Sequence, residues 1–233
     1  MTNIFTYSSS KFKFLDNIVL KKRKEIFEII KKNINLNNVN SVLDVGTTFD
    51  NSLESSNFLI KQLKSIKIKK SISDQKPFND NFFDITFRGS ITENLNNNFE
   101  NLRSDLLVCS ATIEHLGNLS AIKKGVDNMV NLSNKYFIIT TPNRYHPIEF
   151  HTKIPFIHFL PKKFHRKLLM FFGDEFFSKE ENLNLLSKKD LIILMSDYKN
   201  ISYKINEIKL FGFISNFIIV GTKEQSQADN FSK

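Results

Sequence analysis

The stretch SVLDVGTTFD at residues 41–50 decides the fold, because it joins a short apolar run to a glycine and then to a polar loop. Val42, Leu43 and Val45 suit a strand that is buried on both faces, and Gly46 ends the run where the backbone turns tightly. In an open parallel sheet, small ligands bind beyond the carboxyl ends of the strands. The loop that follows residue 45 is therefore the first candidate for a ligand site.

Apolar runs and amphipathic stretches alternate along the rest of the chain. The predicted strands are residues 41–46, 65–73, 83–88, 105–109 and 136–140. The predicted helices are residues 14–32, 53–64, 121–132 and 185–195. This alternation indicates βαβ units and a mostly parallel sheet. Two further strands, 202–210 and 216–222, are joined by so short a connection that they must form an antiparallel hairpin. The sequence therefore predicts an α/β, Rossmann-like, seven-stranded and mostly parallel sheet with an antiparallel C-terminal hairpin and helices on both faces.

Length and composition predict a single domain. The chain has 233 residues, of which 41% are hydrophobic, and its seven glycines and five prolines leave little room for a flexible linker. We assign residues 1–233 to one domain, with an N-terminal helical segment at 1–40. Residues 142–184 depart from the alternation of strands and helices, and we interpret them as an inserted lid or substrate segment.

Charge and cysteine usage restrict the partners and the compartment. The formal net charge of +9 favours encounter with anionic partners. The basic residues are spread along the chain and match no nucleic-acid recognition module, so we expect no nucleic acid. Cys109 is the only cysteine, which suits a reducing compartment, and no apolar run is long enough to span a membrane. We expect a cytoplasmic protein, with contact to the inner face of the membrane as a further option.

The insertion contains two motifs that admit more than one interpretation. The segment IPFIHFLPKKFHRKLLMFF at residues 154–172 interleaves basic and aromatic side chains. It either lies on an anionic membrane surface or forms a helix whose Leu168, Leu169, Phe171 and Phe172 pack on the domain, and we favour the second interpretation. HPIEFH at residues 146–151 has a spacing that matches no common zinc signature, so we expect no metal.

Several segments resemble a known family when they are taken together. They are VLDVG, an acidic residue after the second strand, a polar loop after the third, DLLVCSATIEHL at residues 105–116 and the closing hairpin. In this order they resemble the class I S-adenosylmethionine (SAM)-dependent methyltransferases, and in particular the branch often labelled methyltransferase type 11. The resemblance spans residues 41–223. It implies methyl transfer from the cofactor SAM to a small-molecule or cell-envelope, lipid-linked acceptor.

The resemblance also implies which residues bind the cofactor. Asp44, Gly46 and Thr47 would face its methionine portion, and Asp74 would accept hydrogen bonds from the ribose hydroxyls. The remaining positions that match the family pattern are Ser90 and Ile91 beside the adenine, with Cys109, Ser110 and Ala111 beside the methionine and sulfonium. Two departures stand out. The common loop DxGxGxG is DVGTTFD here, and Ser90 replaces an aspartate that is common in the family.

The same resemblance implies residues on the acceptor side. Glu114 lies just beyond the cofactor positions, and the insertion offers Tyr145, Glu149 and His151 as further polar groups for an anionic small-molecule or lipid-linked substrate. The reaction would be a direct displacement, which needs a base only when the acceptor is protonated. His115 and His146 are the candidate bases.

Two alternative functions remain open at this point. A non-catalytic protein with the SAM-binding fold, or a peripheral-membrane binding protein, is suggested by the missing loop glycines and by the basic and aromatic insertion. A nucleotide- or NAD-binding Rossmann protein is disfavoured because G-x-G-x-x-G is absent.

Overall fold

The computed structural model describes residues 13–77, 79, 81–94, 97–148, 152 and 154–223. The strands are β1 (Ser41–Val45), β2 (Ile68–Ser73), β3 (Ile85–Arg88), β4 (Ser104–Ser110), β5 (Ser133–Pro142), β6 (Ile201–Leu210) and β7 (Phe213–Lys223). The helices are α1 (Lys13–Asn33), α2 (Phe58–Gln62), α3 (Asn97–Glu100), α4 (Leu119–Leu132), α5 (Lys162–Phe171), α6 (Glu175–Ser178) and α7 (Lys188–Met195).

The strands form one seven-stranded sheet in the order β3-β2-β1-β4-β5-β7-β6. Neighbouring strands from β3 to β5 pair in parallel, and β7 pairs antiparallel with both β5 and β6. Strand β7 therefore runs against the other six. The predicted Rossmann-like sheet with an antiparallel C-terminal hairpin is confirmed.

Alternate residues of the central strands face opposite layers of helices. Leu43 and Val45 of β1 pack in one apolar cluster with residues of α4 and α7, whereas Val42 packs in another with residues of α1 and α2. In β4, Leu107 belongs to the first of these clusters and Leu106 to the second. Because side chains alternate across a strand, the continuous apolar runs predicted from the sequence serve both layers. Helices on both faces of the sheet are confirmed.

Two predicted helices are shorter in the structure than the sequence suggested. Helix α2 begins at Phe58 because Asn57 takes a left-handed conformation, with φ at 53°, that a helix cannot include. Helix α7 begins after Ser187, whose hydroxyl accepts a hydrogen bond from the Asp190 N–H while the Asp190 carboxylate accepts one from the Ser187 N–H. This capping box starts the helix three residues after the predicted start. Apolar periodicity alone therefore overestimated both lengths.

The described part of the segment at residues 142–184 contains α5, α6 and a 3₁₀ turn at Ile157–Phe159. Leu169, Phe177, Leu183 and Leu185 form a small apolar cluster that holds it together. The expectation that Phe171 and Phe172 pack on the domain is wrong, because both rings are exposed while Leu169 is buried. Among the helices of the described residues, none combines the length and hydropathy that crossing a bilayer requires.

Candidate active site

The predicted site residues lie at the ends of four strands that are neighbours in the sheet. Strands β3, β2, β1 and β4 run in parallel, so their carboxyl ends meet at one edge. Cys109 and Ser110 end β4, Asp74 follows β2, and Gly46 follows β1. The topology therefore brings residues that are distant in sequence to one edge of the molecule, as small-ligand sites of open parallel sheets require.

Gly46 makes the tight turn after β1 that the sequence predicts. Its φ is +84°, and its N–H donates a hydrogen bond of 2.9 Å to the carbonyl of Ile72 in β2. A Cβ atom at this position would lie 2.3 Å from the Thr112 hydroxyl, which reaches over from the segment after β4. Glycine is required here both for its backbone angle and for the close approach of Thr112.

Asp44 and Thr47 form a buried polar pair beneath this turn. The Thr47 hydroxyl donates a hydrogen bond to the Asp44 carboxylate, and both side chains are buried. Burial raises the pKa of Asp44 from 3.8 to about 6, although the bond from Thr47 opposes this shift. A cationic group bound beside Asp44 would favour its ionised form.

The loop after Gly46 does not need the additional glycines of the usual pattern. Among the described non-glycine residues, positive φ occurs at Asn57, Ala111, Phe156 and Phe211, so Thr47, Thr48 and Phe49 adopt ordinary backbone angles. The loop DVGTTFD therefore needs no left-handed residue after Gly46.

The Asn57 side chain braces this loop. Its Oδ1 accepts a bond of 3.2 Å from the Thr48 N–H, and its Nδ2 donates to the carbonyls of Thr48 and Asp50 at 2.9 and 3.3 Å. The Thr48 hydroxyl also donates to Gln75 Oε1 at 3.2 Å, which ties the loop to the segment after β2. The loop is therefore ordered by side-chain hydrogen bonds where the family pattern has glycines.

The ends of β2 and β3 present the residues predicted for the ribose and adenine. Asp74 is exposed at the end of β2, as an acceptor for ligand hydroxyls must be. Ile91 is buried, and its carbonyl accepts a bond of 2.6 Å from Asn128 of α4. The Ser90 and Thr92 hydroxyls lie 2.8 Å apart, so this loop keeps hydroxyl groups where the family pattern has a carboxylate.

The backbone is strained directly after β4. Ala111 has φ at 52°, an unfavourable value for a residue with a Cβ, and its N–H donates to the Thr140 carbonyl at 3.0 Å. Backbone strain of this kind concentrates at functional sites. Cys109, near the end of the same strand, is buried, and burial raises the pKa of its thiol, so it remains a neutral thiol rather than a nucleophile.

Glu114 is the most unusual side chain in this region. It is 0% exposed, and its Oε2 accepts a hydrogen bond of 3.1 Å from the Thr141 hydroxyl at the end of β5. Its Oε1 has no hydrogen-bond partner among the residues that the structure describes. A buried carboxylate oxygen without a partner is costly, so this oxygen is able to accept a hydrogen bond from a ligand or a water.

The two predicted bases are held by different parts of the molecule. His115 Nδ1 lies 2.6 Å from the Asn182 carbonyl oxygen. His146 is buried, with Nδ1 2.8 Å from the Ile148 carbonyl oxygen and Nε2 3.4 Å from that of Leu210. His146 Nδ1 also lies 3.3 Å from the Ile148 N, and contacts at both ring nitrogens suit a structural role. The choice between the two histidines as base stays a prediction.

The remaining substrate residues lie in the insertion. Tyr145 is exposed, with its ring 6.1 Å from that of Phe159. Glu149 and His151 lie outside the described residues. Sequence reasoning missed Thr112, Thr141 and Asn57, although the first two follow or end strands at the edge where ligands bind. A search of the residues at the carboxyl end of each predicted strand could have found Thr112 and Thr141.

A cationic cleft lies beside Glu114. Arg144, Lys162 and Arg166 line it together with Asn184, whose N–H donates to the Glu114 carbonyl at 2.7 Å. Desolvation and the charge of Arg144 lower the pKa of Lys162. Within the part of the chain that the structure describes, no group of three His, Cys, Asp or Glu side chains is arranged to hold a metal ion.

Comparison with known proteins rests on structure, because no family model and no curated protein matches this sequence. Magnesium protoporphyrin IX methyltransferase from Synechocystis PCC 6803, solved with bound S-adenosylhomocysteine (SAH), superposes with a TM-score of 0.57 and 10% sequence identity. The match covers 95% of this chain and 91% of that protein. The methyltransferase domain of a bacterial Hen1 superposes with a TM-score of 0.52 and 17% sequence identity. The match covers 87% of this chain and 99% of the Hen1 domain.

A structure described as a putative Zn-dependent alcohol dehydrogenase from Rhodobacter sphaeroides also matches. Its TM-score is 0.53, with 10% identity over 80% of this chain and 85% of its own. Likeness at such identities concerns the fold. The chain therefore has the fold of the class I SAM-dependent methyltransferases, as the sequence resemblance implied.

Proposed function

We propose that this protein is a SAM-dependent methyltransferase that acts on a small-molecule or lipid-linked acceptor. The observation that carries the proposal is the buried Asp44 near the carboxyl end of β1, two residues before the positive-φ turn at Gly46, in a sheet with this strand order. Both features meet at the edge where open parallel sheets bind ligands. The arrangement suits a ligand with a positively charged end.

The chain's own residues fit the cofactor. Asp44 supplies a negative charge for the ammonium group of the methionine portion, directly or through water, and Thr47 fixes its carboxylate. Asp74 offers an exposed carboxylate for the ribose hydroxyls, and Ser90 and Ile91 border the adenine. Ser110 and Ala111 would border the sulfonium, together with Cys109, whose buried thiol is neutral.

SAM, when bound, supplies an activated methyl group on its sulfonium, and an acceptor oxygen, nitrogen or carbon displaces S-adenosylhomocysteine. Little covalent help from the protein is needed. Holding the acceptor in line with the methyl group contributes about 7–11 kcal/mol to lowering the barrier. In this proposal, the strand-end loops act mainly by positioning.

Glu114 and His115 hold the acceptor and its proton. The Oε1 of Glu114 is a buried acceptor without a partner among the described residues, which suits a hydroxyl or amine donor on the substrate. The carbonyl of Asn182 beside His115 Nδ1 keeps the proton on that nitrogen, which leaves Nε2 as the basic one. His146 stays the alternative base. If His115→Ala leaves turnover and the pH profile unchanged, His115 is excluded.

The cationic cleft favours an anionic acceptor. Arg144, Lys162 and Arg166 lie within the insertion or at its start, and Asn184 links them to Glu114. A phosphate or carboxylate group on the acceptor would pair with Arg144 and Lys162, because Arg166 already pairs with Glu180 at 2.9 Å. Tyr145, Glu149 and His151 remain proposed contacts of the same segment.

A non-catalytic protein with this fold is the second candidate, because Thr47 and Thr48 add side-chain bulk to the loop beside the cofactor position. Incubation with methyl-labelled SAM and a cell extract, followed by identification of the labelled product, distinguishes the two. We expect one labelled product class. Absence of label, together with absence of SAM binding at saturating cofactor, would favour the non-catalytic candidate.

A further inference from the structure

The surface around the insertion exposes a group of large aromatic side chains. We define the aromatic face by six phenylalanines whose exposed fractions range from 40% to 83%: Phe156, Phe159, Phe164, Phe171, Phe211 and Phe213. A soluble domain usually scatters such residues singly, and a group of them marks an interaction site. The proposed methyl transfer leaves this face unexplained.

Contacts between neighbouring segments bring the parts of the aromatic face together. The rings of Phe156 and Phe159 lie 5.8 Å apart, and the Phe156 N–H donates to the Pro147 carbonyl at 3.2 Å. His146 Nε2 lies 3.4 Å from the carbonyl oxygen of Leu210, the last residue of β6. Phe211 follows in the β6–β7 turn, and Phe213 begins β7. The loop that carries Phe156 and Phe159 therefore contacts the β6–β7 turn, and α5 begins three residues after Phe159.

Helix α5 carries the charged part of this region. Its His165 and Leu169 are buried against the insertion, whereas Phe164 and Phe171, seven residues apart, share the opposite side. Lys163 and Lys167 are exposed on the same side as the two rings. The sequence of α5, KKFHRKLLMF, contains four lysines and arginines and no acidic residue.

We propose that the aromatic face docks on the surface of a phospholipid bilayer that contains anionic headgroups. Exposed aromatic rings with interleaved lysines are the composition of a helix that lies in a membrane interface. The net charge of +9 and the lysines of α5 complement negative lipids. This inference goes beyond the proposed methyl transfer and does not depend on SAM binding.

The position of the face relative to the candidate site is consistent with such docking. Strand β6 runs in the same direction as β1 and β4, so its last residue, Leu210, lies at the edge of the sheet that carries Asp44 and Glu114. A bilayer at the aromatic face would therefore lie on the side where the acceptor enters. A lipid-linked acceptor would reach the site without leaving the membrane surface.

A second copy of the chain is a less suitable occupant than a bilayer. In a symmetric dimer the same patch of both subunits meets. Lys163 and Lys167 of one subunit would then lie near the equivalent cations of the other, with no acidic residue in α5 to compensate them. Charge complementarity thus favours the anionic lipid surface.

Vesicle flotation of the full chain tests the proposal. The probes are vesicles of phosphatidylcholine alone and of phosphatidylcholine mixed with phosphatidylglycerol. Two double variants are tested. The phenylalanine variant combines Phe164→Ser and Phe171→Ser, and the lysine variant combines Lys163→Gln and Lys167→Gln. Matched controls are Ile193→Ser and Lys189→Gln in α7, where Ile193 is 60% exposed. Circular dichroism and SAM binding measured on every variant separate loss of docking from loss of folding or of the candidate site.

We expect the wild type to float with the anionic vesicles. The partition coefficient of the lysine variant should fall about fivefold for each lysine removed. That of the phenylalanine variant should fall about tenfold or more, and both controls should partition like the wild type. The proposal is overturned if the wild type stays with the unbound protein, if phosphatidylcholine alone binds it equally, or if both test variants partition like wild type. A dimer that dissociates in the phenylalanine variant, without vesicle binding, would assign the face to a second copy instead.

Discussion

The loops after β1 and β4 meet at Gly46 and Thr112 but satisfy their polar groups in opposite ways. The loop after β1 is closed on itself by the three hydrogen bonds of Asn57. The segment after β4 contains a strained Ala111 and a buried Glu114 whose Oε1 lacks a partner among the described residues. The first loop is thus organised by its own hydrogen bonds, whereas the second keeps a buried acceptor that the proposed substrate would use.

The largest expected effect is the loss of the contact between the two loops. In Gly46→Ala the new Cβ would meet the Thr112 hydroxyl at a backbone angle that disfavours it, so we expect the free energy of unfolding to fall by about 2–5 kcal/mol. Gly212→Ala is the matched control, because Gly212 has φ at +85° and a Cβ atom added there would have no neighbour within 4 Å among the described residues.

Denaturant unfolding of both variants separates backbone strain from steric overlap. Gly212→Ala should lose only about 1–2 kcal/mol, and Thr112→Gly should restore part of the stability of Gly46→Ala. Equal losses in the two alanine variants would contradict the close approach of the loops.

The next effect concerns the buried carboxylate of the β1 end. The raised pKa of Asp44 favours the protonated form in the folded state, so its contribution to stability is complete below about pH 4 and is lost as pH rises to about 6. The loss amounts to about 3 kcal/mol. Asp44→Asn, which keeps the shape, should abolish this dependence, be more stable at neutral pH and bind SAM more weakly.

Unfolding free energies of wild type and Asp44→Asn between about pH 4 and 7 check this expectation, since other carboxylates cancel in the difference. A difference that does not vary with pH would show that Asp44 is not desolvated as the structure describes.

A smaller effect is expected at the partnerless oxygen of the β4 segment. Glu114→Gln keeps the shape and the bond to Thr141 but removes the charge, so we expect kcat/KM for methyl transfer to fall about 10- to 100-fold. The free energy of unfolding should not decrease, because the substitution removes a buried charge whose Oε1 has no partner among the described residues. The exposed Glu181→Gln is the control, and equal kcat/KM in both variants would remove Glu114 from the acceptor site.

The smallest effect is expected from loosening the β1 loop. Asn57→Gly preserves the left-handed backbone and deletes all three side-chain bonds, which should cost about 1–2 kcal/mol and weaken SAM binding several-fold. Asn57→Asp retains the acceptor for Thr48 and should lie between wild type and Asn57→Gly. Calorimetric titration with SAM measures the affinity of the wild type and of both variants. Equal affinities would show that the Asn57 hydrogen bonds do not support SAM binding.

The fold was predictable because its strongest signals are local. Continuous apolar runs such as that of β4 identify buried strands, and the short connection between β6 and β7 leaves only a hairpin. The lengths of α2 and α7 were not predictable, because a left-handed Asn57 and a capping box at Ser187 are details of backbone conformation and side-chain hydrogen bonding.

The site was predictable only in part. Strand ends located Asp44 and Asp74 from the sequence, whereas the packing of Thr112 on Gly46 depends on the register between β1 and β4. The exposure of Phe171 also escaped prediction, since its apolar character favoured burial and only the tertiary position of α5 decides otherwise.

The most direct test of the SAM site is calorimetric titration of wild type and Asp44→Asn with SAM across the titration range of Asp44. We predict saturable binding to a single site per wild-type chain, with affinity that falls as pH decreases below about 6. Asp44→Asn should bind more weakly at neutral pH and show no such dependence. Absence of saturable binding, or equal affinity of the two proteins at every pH, would contradict the account.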